Sequence, residues 1–380
     1  MTLLVLIALL QSAPSQAEGR EVVVTARPLA DTERAWRECM ARKCPPDQEI
    51  VAAVAHAENQ FVAGDYKQAR STLNRTIGHV RGREREHPVA LGNLWRAKSR
   101  IEAHLGEGAR SRTAASQSLL ALKAGLPEND ARIFAQRVEV GDALLQQGQF
   151  RTALSIYRGI ASRARQAGQL QIEGHALLRT AALWTTLATG RFPYAPAAAE
   201  ARKAIRNIVR TTDPSLAPFR EAAEILLLKL AAGRGDGTAV DRLVERFRGR
   251  ATERPLLVYA PPIDPFSAAG AALPGGSSAF EDQWIDIGFW VAPDGGVKDA
   301  DVLRGSDRLD DVWVEPVLQT VRGRRYAPLK SVGQGSPGLF RVERVTYTSD
   351  YVVPIGSRIR QRSGTPRVVF TDLTVDPPAG

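Results

Sequence analysis

Apolar residues recur at every fourth position in pairs of segments that flank a glycine-led turn. Around Gly64 the two stripes are Ala53, Ala57 and Phe61, then Ala69, Leu73 and Ile77. Around Gly148 they are Phe134, Val138, Gly141 and Leu145, then Ala153, Ile156, Tyr157 and Ile160. Side chains at this interval lie on one face of a helix. Each pair of stripes therefore predicts a helical hairpin with one buried face.

The glycines of these turns are periodic. Gly64, Gly106, Gly148 and Gly190 follow one another at intervals of 42 residues, and Gly233 comes 43 residues later. A fixed period of this size indicates stacked units that bury their apolar faces against their neighbours. We therefore expect a helical-hairpin repeat solenoid over residues 47–250. A plain helical bundle without a groove is the alternative interpretation of the same stripes.

The pattern changes after this array. Residues 251–283 are rich in proline, glycine and alanine, which predicts a linker. An alternation of period two then predicts a strand, and Asp294-Gly295 predicts the turn of a hairpin. The inward positions of this strand are Ile285, Ile287, Phe289 and Val291.

A second strand, a helix and a third strand complete the C-terminal pattern. The helix contains Pro316, which predicts a kink or a late start because proline is costly inside a helix. The third strand is predicted over residues 340–353. We expect a small α+β domain at 284–355 and a basic, proline-containing tail at 356–380. The predicted fold class is mainly α, with a small C-terminal α+β domain.

The N-terminal residues predict export. Met1–Leu10 are predominantly apolar, and Ser15-Gln16-Ala17 supplies the small residues that precede a signal-peptide cleavage site. No Lys or Arg precedes the apolar run, which departs from the usual signal. We expect a signal peptide at 1–17, a periplasmic mature protein and an extended segment at 18–46. An uncleaved signal would instead leave the protein anchored in the inner membrane.

The two cysteines of the chain, Cys39 and Cys44, lie in this N-terminal segment. In an oxidising compartment their short separation predicts one local disulfide. A metal site would need further soft ligands, and His56 alone does not supply them. We therefore predict a disulfide, no metal and no cofactor.

The net charge bears on the partners. The chain carries a formal charge of +10, and arginines cluster at 81–85, 322–325 and 358–362. Inside a cell this charge would favour nucleic acid. For an exported protein we expect contact with anionic envelope surfaces or acidic proteins, and no nucleic acid. The alternative is that these arginines lie on solvated helix faces.

The helical hairpins resemble the tetratricopeptide repeat family. The family's small residue, large apolar residue, glycine-led turn and alanine are similar to Ala57, Phe61, Gly64-Asp65-Tyr66 and Ala69. The pattern returns at Gly141, Leu145, Gly148-Gln149-Phe150 and Ala153, although the period exceeds the family's usual 34 residues. The resemblance implies a concave surface that holds peptides or proteins.

The C-terminal region resembles the TonB C-terminal domain. The matching residues are Phe289–Val297, Val302–Ser306, Leu309-Asp310, Val317, Val321 and Arg325-Tyr326-Ala327-Pro328. The family's membrane anchor and long proline-rich stalk are not evident, which weakens the case for energy transduction. The resemblance implies binding of an extended peptide by strand addition.

This resemblance suggests a peptide site and a peptide. The predicted third strand is expected to offer an unpaired sheet edge, with Val342, Val345 and Tyr347 selecting the peptide's side chains. Near the N-terminus, Glu21, Val22, Val23, Val24, Thr25 and Ala26 are similar to the TonB box of outer-membrane receptors. Such a segment could dock on another sheet or on the chain's own domain.

The sequence contains no motif for catalysis. The histidines form no close ligand pair, and no nucleophile elbow is present. Gly333–Gly338 fits a dinucleotide-binding glycine pattern but precedes a predicted strand, so we expect a surface loop. We predict no catalytic residue and interpret the chain as non-enzymatic.

The patterns together favour an exported envelope scaffold. Its helical repeats would bind envelope proteins, and its small domain would bind TonB-box-like peptides. The alternative is a TonB-type energy transducer for outer-membrane receptors, anchored by an uncleaved N-terminal segment. An envelope enzyme without a known motif is the third hypothesis.

Overall fold

The computed structural model of the protein describes residues 28–190, 193–232, 245–247, 254–261, 263, 282–309, 311–330 and 337–374. Within these residues the chain is predominantly helical and ends in a small antiparallel sheet. This confirms the coarse fold class, mainly α followed by a C-terminal region of strands and one helix.

The helical region contains ten consecutive α-helices among the described residues. In chain order they are α1 (Leu29–Ala41), α2 (Pro46–Val62), α3 (Tyr66–Val80), α4 (Pro88–His104), α5 (Gly108–Gly125), α6 (Ala131–Gln146), α7 (Phe150–Gln166), α8 (Leu170–Thr189), α9 (Ala197–Val209) and α10 (Ala217–Ala232). Each helix from α1 to α10 packs against the next one along the chain. Contacts between α2 and α4, and between α6 and α8, join neighbouring hairpins.

The predicted apolar stripes form the helical core. Ala53, Ala57, Ala69 and Leu73 are fully buried, and the last three pack with residues of α4. In the third hairpin a Cβ on Gly141 would lie 2.6 Å from the Tyr157 ring, so this position holds the tyrosine against the helix backbone. Spacing of four therefore identified the buried faces of both hairpins.

The glycine-led turns lie where the periodicity places them. Gly64, Gly106 and Gly148 adopt positive φ angles of 87°, 68° and 75° between the helices of their hairpins. Glycine reaches this backbone region without the steric cost of a side chain. Gly190 ends α8 in an extended conformation instead, and Gly233 lies outside the described residues.

The C-terminal region is a four-stranded antiparallel sheet with one helix on its inner face. Its elements are β1 (Leu257–Tyr259), β2 (Gln283–Val291), β3 (Val297–Gly305), α11 (Asp311–Arg322), β4 (Arg325–Tyr326), β5 (Leu339–Val352) and β6 (Gln361–Asp372). The strand order is β3-β2-β5-β6, and β1 pairs separately with β4. The predicted inward residues of β2 are fully buried beside Trp313 and Val317 of α11.

The helix α11 shows how the sequence accommodates its proline. It begins at Asp311, after the Leu309-Asp310 pair. Pro316 is the sixth residue of this helix, so its missing N–H still removes one backbone hydrogen bond of a regular helix. The late start is observed, but the proline remains inside the helix.

Three predicted boundaries are wrong. Residues 18–46 were expected to be extended, but α1 forms there and packs on α2, with Trp36 stacked on His56. The linker contains β1, which pairs with β4 and buries Val258 against Ile225 and Phe247. The tail contains β6, which pairs with β5 over nearly its whole length.

Several predictions fall outside the described residues. These are the signal peptide at 1–17, the TonB-box-like Glu21–Ala26, the turn that begins at Gly233 and much of the linker. Among the helices that the structure describes, none is both long and apolar enough to span a bilayer.

Candidate functional site at the interface of helices and sheet

The sheet face opposite α11 packs against the helical region. Side chains alternate along β5, so Val345 and Tyr347 face the core with α11 while Arg344, Thr346 and Thr348 face the other way. All three of the latter are fully buried. They contact the turns around Gly64 and Gly106, so the first two hairpins carry the sheet.

Arg344 is the central residue of this interface. Its guanidinium forms an ion pair with buried Asp286 and donates hydrogen bonds of 2.7 Å to the carbonyl oxygens of Phe61 and Val62. It also lies 3.7 Å from the centroid of the Trp284 ring. The last carbonyls of a helix lack partners within the helix and carry its partial negative charge. Arg344 therefore caps the C-terminus of α2.

Arg304 reinforces the same contact from β3. It donates to Asp286 at 2.7 Å and to the carbonyl of Val62 at 2.8 Å. Asp286 thus balances two guanidinium groups whose remaining donors point at one helix end. A buried carboxylate with two such partners is satisfied electrostatically, whereas removal of either arginine would leave carbonyls or charge without compensation.

The C-terminus of α4 is capped in the same manner. Arg367 of β6 donates to the carbonyl of Ala103, and Arg362 donates to that of Leu105 at 3.3 Å. The backbone N–H of Tyr351 donates to the carbonyl of Gly106 at 2.9 Å. Two successive hairpins therefore present their helix ends to donors from one sheet.

His104 lies in the middle of this interface. Its ring nitrogens lie 2.8 Å from the hydroxyl oxygen of Thr346 and 3.1 Å from that of Thr371. Burial, with Arg367 and Arg344 nearby, lowers the pKa of His104 to about 3. The imidazole is therefore neutral at physiological pH, and its protonation would place a third cation among two arginines.

An apolar groove opens at the opposite ends of α2 and α4. It lies between α1, α2 and α4 and has a volume of about 680 Å³. Its lining is Asp31, Thr32, Ala35, Asp47, Gln48, Val51, Ala52, Ala55, Val89, Ala90 and Asn93. Val51 is 68% exposed in this groove. A cleft lined by apolar residues with polar groups among them is typical of a binding site.

A belt of charged residues continues the same helix faces. Glu58 follows Val51 by two turns of α2, and Arg96 and Arg100 follow Asn93 on α4. Arg100 lies 3.5 Å from Glu139 of α6. The pKa of Glu139 is raised above its usual value because the carboxyl group is buried, although the charges of Arg100 and Arg96 act in the opposite direction. The groove is therefore flanked on one side by alternating charges that are partly shielded from solvent.

The expected peptide site on β5 is not at a sheet edge. β5 lies between β2 and β6, and the backbone N–H of Val342 donates to the Thr374 hydroxyl. Val345 and Tyr347 are buried in the core against α11. The prediction of an unpaired edge is wrong because β6 occupies it. The run Val368-Val369-Phe370 is the sequence signal that could have indicated this strand.

The remaining site predictions have different outcomes. The two cysteines lie at disulfide distance, with Cα atoms 5.1 Å apart, as their spacing predicts. Within the described ranges, no three His, Cys, Asp or Glu side chains are grouped so that they could hold a metal ion. The interface arginines were missed by sequence reasoning, since their partners lie more than 200 residues away.

The chain was compared with protein families and with curated proteins. No protein-family model matches the chain, and no curated protein is detectably similar to it. The resemblances to tetratricopeptide repeats and to the TonB C-terminal domain therefore stand on the residues quoted for them.

The three glycine turns provide an internal comparison. Alanine at Gly64, Gly106 or Gly148 should cost about 1 kcal/mol each for the positive φ alone. At Gly64 the new Cβ would also collide with Trp284, and at Gly106 with the carbonyl of Ser349, whereas nothing lies near Gly148. We expect Gly64→Ala and Gly106→Ala to lower the unfolding free energy clearly more than Gly148→Ala in urea titrations. Equal losses would show that the sheet does not rest on these turns.

Removal of the central arginine should be costly. Arg344→Met keeps the apolar stem but removes one donor from each of the Phe61 and Val62 carbonyls and leaves Asp286 with Arg304 as its remaining arginine partner. We expect a loss of about 3–5 kcal/mol in unfolding free energy, measured by chemical denaturation. Arg308→Met, at an exposed position in the same region, is the control and should change stability by less than about 0.5 kcal/mol. Similar values for both variants would contradict the assigned role of Arg344.

The buried histidine predicts a pH dependence. The unfolded chain binds a proton at His104 near pH 6.5, whereas the folded chain does so only near pH 3. Between these values only the unfolded state takes up the proton, so stability falls as the pH falls. We expect His104 to contribute a loss of about 2 kcal/mol between pH 7 and pH 5. His104→Gln should lessen the decline of unfolding free energy by this amount, and an unchanged decline would contradict the assignment.

Proposed function

We propose that this chain is an exported envelope scaffold that binds other proteins through its helical region. The observation that carries the proposal is the apolar groove between α1, α2 and α4, continued by the charge belt on the same faces. A partner with apolar side chains between charged flanks would match both features. The proposal involves no catalytic residue, metal or cofactor.

The helix packing supports a repeat solenoid as the basis of this surface. Helices α2, α4, α6 and α8 are the first helices of successive hairpins and begin at similar phases of the glycine period. Contacts of α2 with α4 and of α6 with α8 arrange such first helices side by side. Stacked helical arrays create an extended concave binding surface, and we assign the groove and the belt to such a surface.

The partner's chemistry follows from the groove. Ala52, Ala55 and Val51 offer apolar surface, while Asp31 and Asp47 stand at the rim. We expect the bound segment to insert one or two apolar side chains and to carry positive charge near the acidic rim. The belt of Glu58, Arg96, Arg100 and Glu139 would then favour partners whose positive and negative side chains lie opposite charges of the other sign in the belt.

The sheet has a supporting role in this proposal. Because β6 covers the edge of β5, the four-stranded sheet of the described residues offers an extended partner segment the outer edges of β3 and β6. The arginine caps fix these edges relative to the helices. The cysteine pair at disulfide distance supports residence in an oxidising compartment, as the envelope proposal requires.

Site-specific crosslinking tests the groove. A photo-reactive amino acid at Val51 is compared with one at Leu120, an exposed position on α5 that is 57% accessible and does not line the groove. In envelope extract we expect a discrete protein adduct from position 51 and none from position 120. Excess unlabelled wild-type protein should suppress the adduct, whereas excess Val51→Asp protein should not. Adducts at both positions, or suppression by both competitors, would contradict the proposal.

A further inference from the structure

The hairpin that joins β5 and β6 ends in an exposed apolar and basic tip. We define the hairpin tip as residues 353–360. Val353 is 55% exposed, Ile359 is 76% exposed and Ile355 is as accessible as in an isolated peptide. Side chains of this size are seldom fully exposed in clusters on a protein that keeps them in water.

The tip is held in this conformation by its own hydrogen bonds. The N–H of Ser357 donates to the carbonyl of Pro354 at 3.0 Å, and Gly356 between them has a φ of 83°. This geometry is a type II turn, which places Ile355 at the corner. The N–H of Ile359 donates to the Ser357 hydroxyl at 3.0 Å. The isoleucines are therefore presented outward by an ordered turn.

The charged residues of the hairpin's own end are basic. Between Tyr351 and Thr371 the sequence contains four arginines and no Asp or Glu. Arg360 and Arg362 stack on the Tyr351 ring at 4.6 and 4.1 Å and form ion pairs with Glu107 and Asp282. Arg358 is exposed at the tip itself. The base of the hairpin is thereby fixed to the helical region, while the hairpin tip combines apolar side chains with the positive charge of Arg358.

We propose that the hairpin tip inserts into the headgroup region of an anionic bilayer. Shallow insertion requires a few apolar side chains and nearby positive charge. The tip provides the apolar side chains, and Arg358 provides the charge. A stable protein interface needs about 20–30 residues a side. The tip has far fewer residues and is convex, so the observations favour a lipid surface over a protein pocket. The inference does not depend on the groove binding a protein.

Fluorescence at the tip tests this insertion directly. An environment-sensitive fluorophore is attached to the purified protein through Ile355→Cys, or through Leu120→Cys as the control. With phosphatidylcholine vesicles that contain phosphatidylglycerol, we expect a blue shift at position 355 and none at position 120. An unchanged spectrum at 355, or the same shift at both positions, would overturn the proposal.

Vesicle sedimentation measures what each side chain contributes. Ile355→Ser with Ile359→Ser alters only exposed positions, and we expect a loss of roughly tenfold or more in binding to anionic vesicles. Arg358→Gln should weaken binding about fivefold, with a smaller salt dependence. Leu120→Ser should bind like wild type, and circular dichroism checks that each variant is folded. The inference would be refuted if the double variant bound as well as wild type, or if wild type bound equally well to vesicles of phosphatidylcholine alone. The tip would then be assigned to binding in a pocket of another protein.

Discussion

The carbonyl groups at the ends of α2 and α4 impose the constraint on which the structure depends. A helix cannot satisfy these groups itself, and here they are covered by another part of the chain. Arg344, Arg304, Arg362 and Arg367 supply the missing donors from three strands of the sheet. Because arginine carries several donors in a fixed plane, one side chain can satisfy a helix end and an acidic partner at once.

This constraint explains the arrangement of the candidate surfaces. The glycine turns bring two helix ends to the same level, so a single sheet can contact both. The groove lies at the other ends of the same helices and remains open. The hairpin tip projects from strands whose bases are fixed by the same arginines. In the proposed scaffold the interface therefore sets the positions of a protein-binding groove and a lipid-binding tip relative to one another.

The sequence predicted the local features and missed the distant ones. Stripes of spacing four gave the hairpins, and the alternation from Ile285 to Val291 gave β2, since both depend on neighbouring residues alone. The strand β6 was missed because Gly364 and Pro366 interrupt its pattern. The interface was missed because Arg344 and Phe61 become neighbours only after folding. The polar residues of β5 alternate with Val345 and Tyr347, and this alternation is the same whether the polar face is exposed to solvent or buried. The sequence therefore did not indicate that this face is fully buried.

The central claim is that the caps unite the helices and the sheet in one cooperative unit. Native-state hydrogen exchange tests it most directly, because it gives a free energy of opening for each amide. The account predicts that core amides of α2, α4 and β5 exchange with the same free energy, equal to that of global unfolding. Exchange of the β5 amides at a clearly lower free energy, with the helices still protected, would contradict it.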